Sequence, residues 1–237
     1  MDSFSFRNGV PQLGHVHHGY AVFTTLRVAQ GRALFWTLHR ERLLQSSSYM
    51  KISLDMTRIE EDVAVAARRL RTGAIRVLVA TEEWWLHAWK PNIDEAQPLT
   101  VCWLEWEPSS WLPAWVKHSN RAEWRMAKQQ KGVDEILLYD RQKFVLEASR
   151  GNLFLARGDA LYTPKANGRI LDGVGRRSII ELAKDVGVPI YEVNLPPEEG
   201  SWWLVSALRN FQRLSVSPVA VPRSVEVLQR TFAERYL

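Results

Sequence analysis

The chain is predicted to be an α+β protein of two domains, on three observations. A hairpin and two amphipathic helical patterns fill its first part. The stretch Glu107-Pro108-Ser109-Ser110-Trp111-Leu112-Pro113 then breaks the patterning with two prolines and two serines, and the remainder of the chain is mostly strand-like. The expected organisation is a small α+β domain over 1–107, a linker over 108–113 and a larger, strand-rich α/β domain over 114–237.

Ala21 to Val28 alternates as a half-buried strand does, and the turn Ala29-Gln30-Gly31-Arg32 leads into a second short strand, Ala33 to Trp36. Thr37 is placed to cap a helix that carries His39, Arg42, Leu43 and Ser46 on successive turns. Ile59, Val63, Ala66, Ala67 and Leu70 recur at helical spacing and predict a second helix. Strands at Ala74 to Ala80 and Leu99 to Glu105 complete the small domain. Past the linker, a helix over Ala122 to Lys131 precedes strands at Glu135 to Tyr139, Phe144 to Glu147, Leu153 to Ala156 and Leu161 to Thr163. Ile179, Ile180, Ala183 and Val186 predict a helix after Gly173-Val174-Gly175, and Val225, Leu228 and Phe232 a final one.

With 237 residues, 46% of them hydrophobic, the chain has enough apolar material for one large core or two small ones. A formal charge of +5 favours small anions as ligands. Nucleic acid is not expected, because the basic residues are dispersed and recur inside amphipathic segments such as Arg68-Arg69-Leu70-Arg71. Cys102 is the only cysteine, which rules out an intramolecular disulfide and a cysteine-based zinc site; no metal is expected. No apolar run reaches the length of a membrane span, and Met1 to Phe6 lacks the basic-then-apolar pattern of a secretory signal, so a cytoplasmic protein with no membrane partner is expected. The 11 tryptophans, with doublets at Trp84-Trp85 and Trp202-Trp203, are read as core and interface packing rather than a ligand platform.

The chemistry lies in a lysine and a carboxylate. Lys117, in Lys117-His118-Ser119-Asn120-Arg121, is followed thirty positions later by Glu147 at the end of the apolar run Phe144-Val145-Leu146. A lysine that forms an imine and an acid that pairs with a protonated pyridine nitrogen are what pyridoxal 5′-phosphate requires of a protein. Taken singly, Lys117 reads more readily as a solvated surface lysine and Glu147 as an edge-strand glutamate pointing to water. Leu171-Asp172-Gly173-Val174-Gly175-Arg176 puts glycines at a helix start, where free N–H groups and the helix dipole favour a phosphate, and Arg42 could add a charge-assisted hydrogen bond to it.

The order of motifs gives these residues a context. Phe23-Thr24-Thr25-Leu26-Arg27-Val28, His39-x-x-Arg42-Leu43, Lys117-x-x-Asn120-Arg121, Glu147-x-Ser149-x-x-Asn152-Leu153-Phe154, Thr163-Pro164, Leu171-x-Gly173-Val174-x-Arg176 and Ser206-Ala207-Leu208-Arg209 follow one another as in class IV aminotransferases. Over nearly its whole length the chain resembles this family of fold-type IV pyridoxal-phosphate enzymes, whose fold is that of the D-amino-acid and branched-chain aminotransferases. The resemblance implies that Lys117 carries the cofactor and Glu147 faces its pyridine nitrogen. It also implies that Arg42, Val174 and Gly175 hold its phosphate, with Ser206, Ala207 and Leu208 as a further phosphate or substrate loop. Many relatives have a threonine at the place of Leu208, which here offers only its backbone.

Branched-chain enzymes usually have Phe-Glu-Gly where this chain has Phe23-Thr24-Thr25, and asparagine-tyrosine where it has Asn120-Arg121. Both departures resemble the 4-amino-4-deoxychorismate lyases of the family. The resemblance therefore implies conversion of 4-amino-4-deoxychorismate to 4-aminobenzoate and pyruvate in folate biosynthesis. Thr24, Thr25 and Arg27 would contact this small anionic substrate and Arg209 would clamp a carboxylate, with a structural ion pair as the other reading of Arg27. The alternatives are an aminotransferase acting on branched-chain or D-amino acids, and a non-catalytic protein that keeps the fold. A homodimer, with its active site between the domains near the subunit interface, is implied as well.

Overall fold

Two sets of strands organise the computed structural model, which describes residues 3–12, 19–81, 83–95, 97–217 and 220–237. One unit comprises Met1–Asn92, Val116–Arg121 and Tyr236–Leu237, and a second comprises Ile93–Trp115 and Ala122–Arg235.

In the first unit the elements run β1 (Ser3–Arg7), β2 (Val10–Gln12), β3 (Val22–Ala29), β4 (Arg32–Ala33), α1 (Trp36–Tyr49), α2 (Met56–Leu70), β5 (Gly73–Ala80) and β6 (Glu83–Trp89). The strands form one sheet in the order β2-β1-β6-β5-β3-β4, antiparallel throughout. Alternation along β3 buries Val22, Thr24, Leu26 and Val28 and leaves Phe23, Thr25 and Arg27 half-buried on the opposite face. Ile59, Val63, Ala66, Ala67 and Leu70 are the buried stripe of α2, whose first turn is capped by Asp55 accepting from the Arg58 N–H at 3.1 Å.

Helix α1 buries His39, Arg42, Leu43 and Ser46 as its spacing predicts, but Thr37 does not cap it. The cap position is Phe35, in the left-handed region at φ 55°, with no side-chain cap. β4 ends at Ala33, earlier than expected, while the Leu34 N–H is still held by the Arg27 carbonyl at 2.9 Å; the chain must then turn into the helix within two residues, which places Thr37 inside it.

The second unit continues with β7 (Val101–Glu105), α3 (Ala122–Lys131), β8 (Glu135–Tyr139), β9 (Val145–Ala148), β10 (Asn152–Arg157), β11 (Ala160–Thr163), α4 (Val174–Val186), β12 (Ile190–Glu192), β13 (Ser201–Val205), β14 (Gln212–Arg213) and α5 (Arg223–Tyr236). It holds a three-stranded sheet, β7-β8-β9, and a five-stranded one, β12-β11-β10-β13-β14. β7 pairs in parallel with β8 from Val101↔Glu135 to Glu105↔Tyr139. The strand expected to complete the small domain therefore lies in the second unit, and so does 108–113. Its partner is a strand some thirty residues downstream, a non-local pairing that periodicity does not report.

β13 is buried along its whole length, and the Trp202-Trp203 doublet fills the core. Trp202 meets Trp103 edge-on at 5.6 Å and donates its indole N–H to the Glu198 carbonyl at 2.9 Å; Trp203 donates to Ser201 Oγ at 2.9 Å. Trp84 and Trp85 are likewise buried, in β6. Among the described residues no helix is long and apolar enough to cross a membrane, and no group of three or more His, Cys, Asp or Glu side chains could hold a metal. Replacing Trp202 by alanine removes a fully buried indole and is expected to destabilise the protein by about 3–5 kcal/mol. Urea unfolding measures this, and a loss below about 1 kcal/mol would contradict so dense a core.

Candidate active site

Lys117 lies outside any regular element, yet its backbone is fixed to the first unit's sheet. The Phe23 N–H donates to the Lys117 carbonyl at 3.0 Å, the Ser119 N–H donates to Ala21 at 2.8 Å, and Val22 and His118 form an antiparallel bridge. The Lys117 N–H donates to Ser46 Oγ on α1 at 3.0 Å. The half-buried ammonium stands 4.9 Å from the centre of the Phe23 ring.

One turn before Ser46 on α1, Arg42 is buried, and its Nη2 donates to Thr24 Oγ1 and to His39 Nδ1, the latter at 3.3 Å. Thr24 Oγ1 and His39 Nδ1 are 2.6 Å apart. Of the three residues expected to touch substrate from β3, Thr24 is thus placed differently: it is fully buried on the α1 side of the strand. Thr25 and Arg27 share the opposite face with Phe23. There Thr25 Oγ1 accepts from Arg76 Nε at 3.1 Å, and the Arg76 guanidinium lies 5.1 Å from the Phe23 ring centre. Neither His39 nor Arg76 is given a role by the sequence motifs. The available signal for Arg76 is one cation inside the apolar run Gly73-Ala74-Ile75-Arg76-Val77-Leu78-Val79-Ala80.

This part of the unit is electropositive. Burial, then the Arg42 and Lys117 charges, hold His39 well below the ordinary histidine pKa. Burial, then Arg121 and Lys117, lower His118 to about 4. Burial and then Arg121 lower Arg76.

In the second unit Glu147 is half-buried near the end of β9, and its Oε2 accepts from the Leu171 N–H at 3.3 Å and from Asn152 Nδ2 at 3.4 Å. Asn152 Nδ2 also donates to the Leu171 carbonyl at 2.7 Å. The turn after β9 is clamped by the buried Glu135, which accepts from Ser149 Oγ and from Arg150 Nε, the latter at 2.7 Å. α4 begins after Gly173, a cap without a side chain. A β-carbon at Gly175 would stand 2.4 Å from the Ser206 carbonyl carbon and 3.0 Å from the Ala207 nitrogen, so the first turn of α4 and the Ser206-Ala207 segment meet backbone to backbone. Arg176 braces this helix start, donating to Asp172 at 2.9 Å, to the Pro164 carbonyl at 3.1 Å and to Glu192.

Ser206 Oγ accepts from the Leu208 N–H at 3.3 Å and the Arg209 N–H at 3.1 Å, so the backbone donor of Leu208 is turned into its own loop. Arg209 Nε donates to Gln212 Oε1 at 3.1 Å. The second unit thus gathers Glu147, the α4 start, and the turn from Ser206 to Arg209, while in the first unit Lys117 lies against the start of β3, with Arg42 on the α1 side of that strand and Thr25 and Arg27 on its other face.

Two outcomes are expected from this geometry. Gly175→Ala forces the backbones of α4 and Ser206 apart and should cost about 1–3 kcal/mol in urea unfolding; unchanged stability would contradict the close approach. His118 is neutral in the fold down to about pH 4, whereas the unfolded chain protonates it near 6.5. Its contribution is fully present above pH 6.5 and is lost as pH falls toward about 4. His118→Gln is expected to remove roughly 1–2 kcal/mol of that acid-induced loss, after discounting for partial solvent screening. Parallel stability–pH curves for the variant and the unaltered protein would refute this.

Comparison with known proteins places these parts in a family. The family model for amino-transferase class IV matches residues 21–215. A Methanocaldococcus jannaschii protein, provisionally named branched-chain-amino-acid aminotransferase, is 30% identical over 200 residues, covering 74% of this chain and 69% of its own. A Rickettsia felis protein with the same provisional name is 25% identical over 210 residues, covering 78% and 71%. Among solved structures, a hypothetical aminotransferase from Mycobacterium tuberculosis in its PLP-bound form superposes with a TM-score of 0.84 at 22% identity, covering 100% of this chain and 99% of that one. A Legionella pneumophila protein provisionally named 4-amino-4-deoxychorismate lyase superposes at 0.81 with 21% identity, covering 95% and 96%. With the matched segment running from the residue before β3 to just past β14, the chain belongs to the class IV aminotransferase family of pyridoxal-phosphate enzymes.

Proposed function

We propose that the protein is a pyridoxal-phosphate-dependent lyase that converts 4-amino-4-deoxychorismate to 4-aminobenzoate and pyruvate. The observation that carries this reading is the cationic face of β3 and β5. Arg76, largely removed from water and hydrogen-bonded to Thr25, is close enough to Arg121 for that charge to lower its pKa, and Lys117 shares the Phe23 ring with it. Such a face suits a substrate with two carboxylates better than a branched aliphatic side chain.

The residues present fit the cofactor. In the second unit the start of α4, capped by Gly173 and packed at Gly175 directly on the Ser206-Ala207 backbone, offers N–H groups to a phosphate, and in the first unit Arg42 is a buried positive charge of the kind a phosphate takes. Glu147, already accepting from two donors, is a carboxyl group held in place near the end of β9. When bound, pyridoxal phosphate supplies a conjugated ring that draws electrons from the carbon bearing the substrate amine.

In this reading Lys117 would hold the cofactor and would take the proton from the amine-bearing carbon of the substrate. Glu147 keeps a proton at the pyridine nitrogen. Arg42, Val174 and Gly175 bind the phosphate, with Ser206 and Ala207 shaping the cradle around Gly175 and Leu208 closing the turn. Thr25 and Arg27, with Arg76 beside them, orient the substrate, and Arg209 takes a carboxylate. Cleavage of the C–O bond at the neighbouring carbon then releases the enolate of pyruvate, which takes up a proton to become pyruvate, and leaves an aromatic ring. Class IV aminotransferases are commonly dimeric, and a homodimer is part of this proposal.

A second reading, transfer of the amino group to a keto acid, is favoured by the branched-chain aminotransferase names of the sequence relatives. The two separate cleanly. With 4-amino-4-deoxychorismate and no keto acid, the protein is expected to release 4-aminobenzoate and pyruvate in equal amounts. Lys117→Ala should lower the rate by about 10³-fold or more, and Glu147→Gln by roughly 10²-fold. Turnover only with an added keto acid would overturn the lyase in favour of the aminotransferase. If borohydride fixed no cofactor to the protein, both readings would fall and a non-catalytic protein would remain.

A further inference from the structure

Arg42 is held by neutral groups whose own arrangement is well determined. A guanidinium can only donate, so in the Arg42–His39 contact at 3.3 Å the histidine Nδ1 accepts. Thr24 Oγ1 accepts from the same Arg42 Nη2 and can then donate to His39 Nδ1 at 2.6 Å, which leaves the imidazole proton on Nε2. Nε2 is buried with no hydrogen-bond partner among the described residues, so the side chain is anchored through Nδ1 alone. Thr24 and His39 are both wholly inaccessible to solvent and come from different elements, β3 and α1. One turn beyond Arg42, Ser46 accepts from the Lys117 N–H at 3.0 Å. A single face of α1 thus fixes the Arg42 guanidinium through its neighbours and the Lys117 backbone through Ser46.

We infer that Thr24 and His39 are positioning residues: they fix the orientation of the Arg42 guanidinium for a phosphate monoester, at a spacing from Lys117 set by α1. Rather than contacting substrate, Thr24 acts through Arg42. Protonation of His39 would put an N–H where Arg42 needs an acceptor and add a third cation beside Arg42 and Lys117; burial and those two charges keep it neutral. The inference rests on the reading of Arg42 as the phosphate partner and of Lys117 as the cofactor lysine.

The test compares two probes on cofactor-stripped protein: pyridoxal 5′-phosphate, and pyridoxal, which has the aldehyde but no phosphate. Affinity is followed by absorbance titration, and attachment by borohydride fixation. Thr24→Val keeps the shape and removes the hydroxyl; His39→Leu removes the acceptor. Each is expected to weaken pyridoxal 5′-phosphate binding about tenfold and to leave pyridoxal binding unchanged, whereas Thr24→Ser, which keeps the hydroxyl, and His39→Asn, whose Oδ1 supplies an acceptor in place of Nδ1, retain wild-type affinity. Equal weakening of both probes, or no weakening of either, would overturn the positioning role. Arg42→Gln is the control for the reading beneath it. If that variant does not discriminate between the probes, the phosphate assignment itself is wrong, and if the unaltered protein binds neither probe, the cofactor assignment is. Circular dichroism and thermal midpoints exclude loss of fold, and Thr24→Ser supplies a folded comparison if Thr24→Val is unstable.

Discussion

The return of Val116–Arg121 to the first unit's sheet is the constraint on which the proposed chemistry depends. The chain leaves that unit after Asn92 and comes back at Val116 to pair with the start of β3. Two backbone hydrogen bonds and one to Ser46 hold it there. Each is worth roughly 0.5–1.5 kcal/mol net, a modest sum, but their geometric effect is larger. They place a lysine in an irregular segment against a regular strand and a buried helix face, so that Lys117 inherits the rigidity of elements it does not belong to.

In the second unit, rigidity comes from close backbone approach and from satisfied buried acids. Gly173 has no room for a β-carbon, which would lie 2.2 Å from Asn152 Oδ1; the same Asn152 bonds Glu147 and the Leu171 carbonyl. The helix start, the asparagine and the glutamate are therefore one connected piece. Beyond β9, the buried Glu135 carries the Ser149 hydroxyl and the Arg150 guanidinium, which tethers the turn after Glu147. Glu135 is fully buried, and such a carboxylate persists only with partners of this kind.

Helices are the most legible part of the sequence because their signal is internal. The stripe of α2 follows from spacing, that of α4 only in part, since Ile179 and Ala183 are buried but Ile180 and Val186 are half-buried and Leu182 takes a core place, and α3 runs over the residues its pattern predicts. Strands that depend on distant partners are less so. β6 escapes prediction because its less buried face, Glu83, Trp85, His87 and Trp89, carries tryptophans as bulky and apolar as its fully buried face, Trp84, Leu86 and Ala88, which hides the alternation in the sequence. The domain boundary moves because β7 takes its partner from beyond α3. For the proposed site, motif spacing singles out Lys117, Glu147 and Arg42 as candidates, but treats Phe23-Thr24-Thr25 as one unit. Strand parity alone puts Thr24 with Val22 and Leu26, and therefore on the α1 side. Arg76 belongs to no motif, and its importance arises from the register that sets it opposite Thr25.

The use the first unit makes of its charges depends on these placements. Lys117, Arg76, Arg42 and Arg121 are brought together with the rings of two histidines, His39 and His118, both pushed toward the neutral form by burial and by those same cations. Keeping the histidines neutral limits the repulsion without removing the positive field. Threonine hydroxyls and the Phe23 ring orient the cations but do not neutralise them. An anion entering such a region gains from charges whose positions were fixed, and whose desolvation was met, when the protein folded. Such a field favours ligands with fixed negative charge, and it arises from the arrangement of β3, β5 and α1 before any ligand is bound.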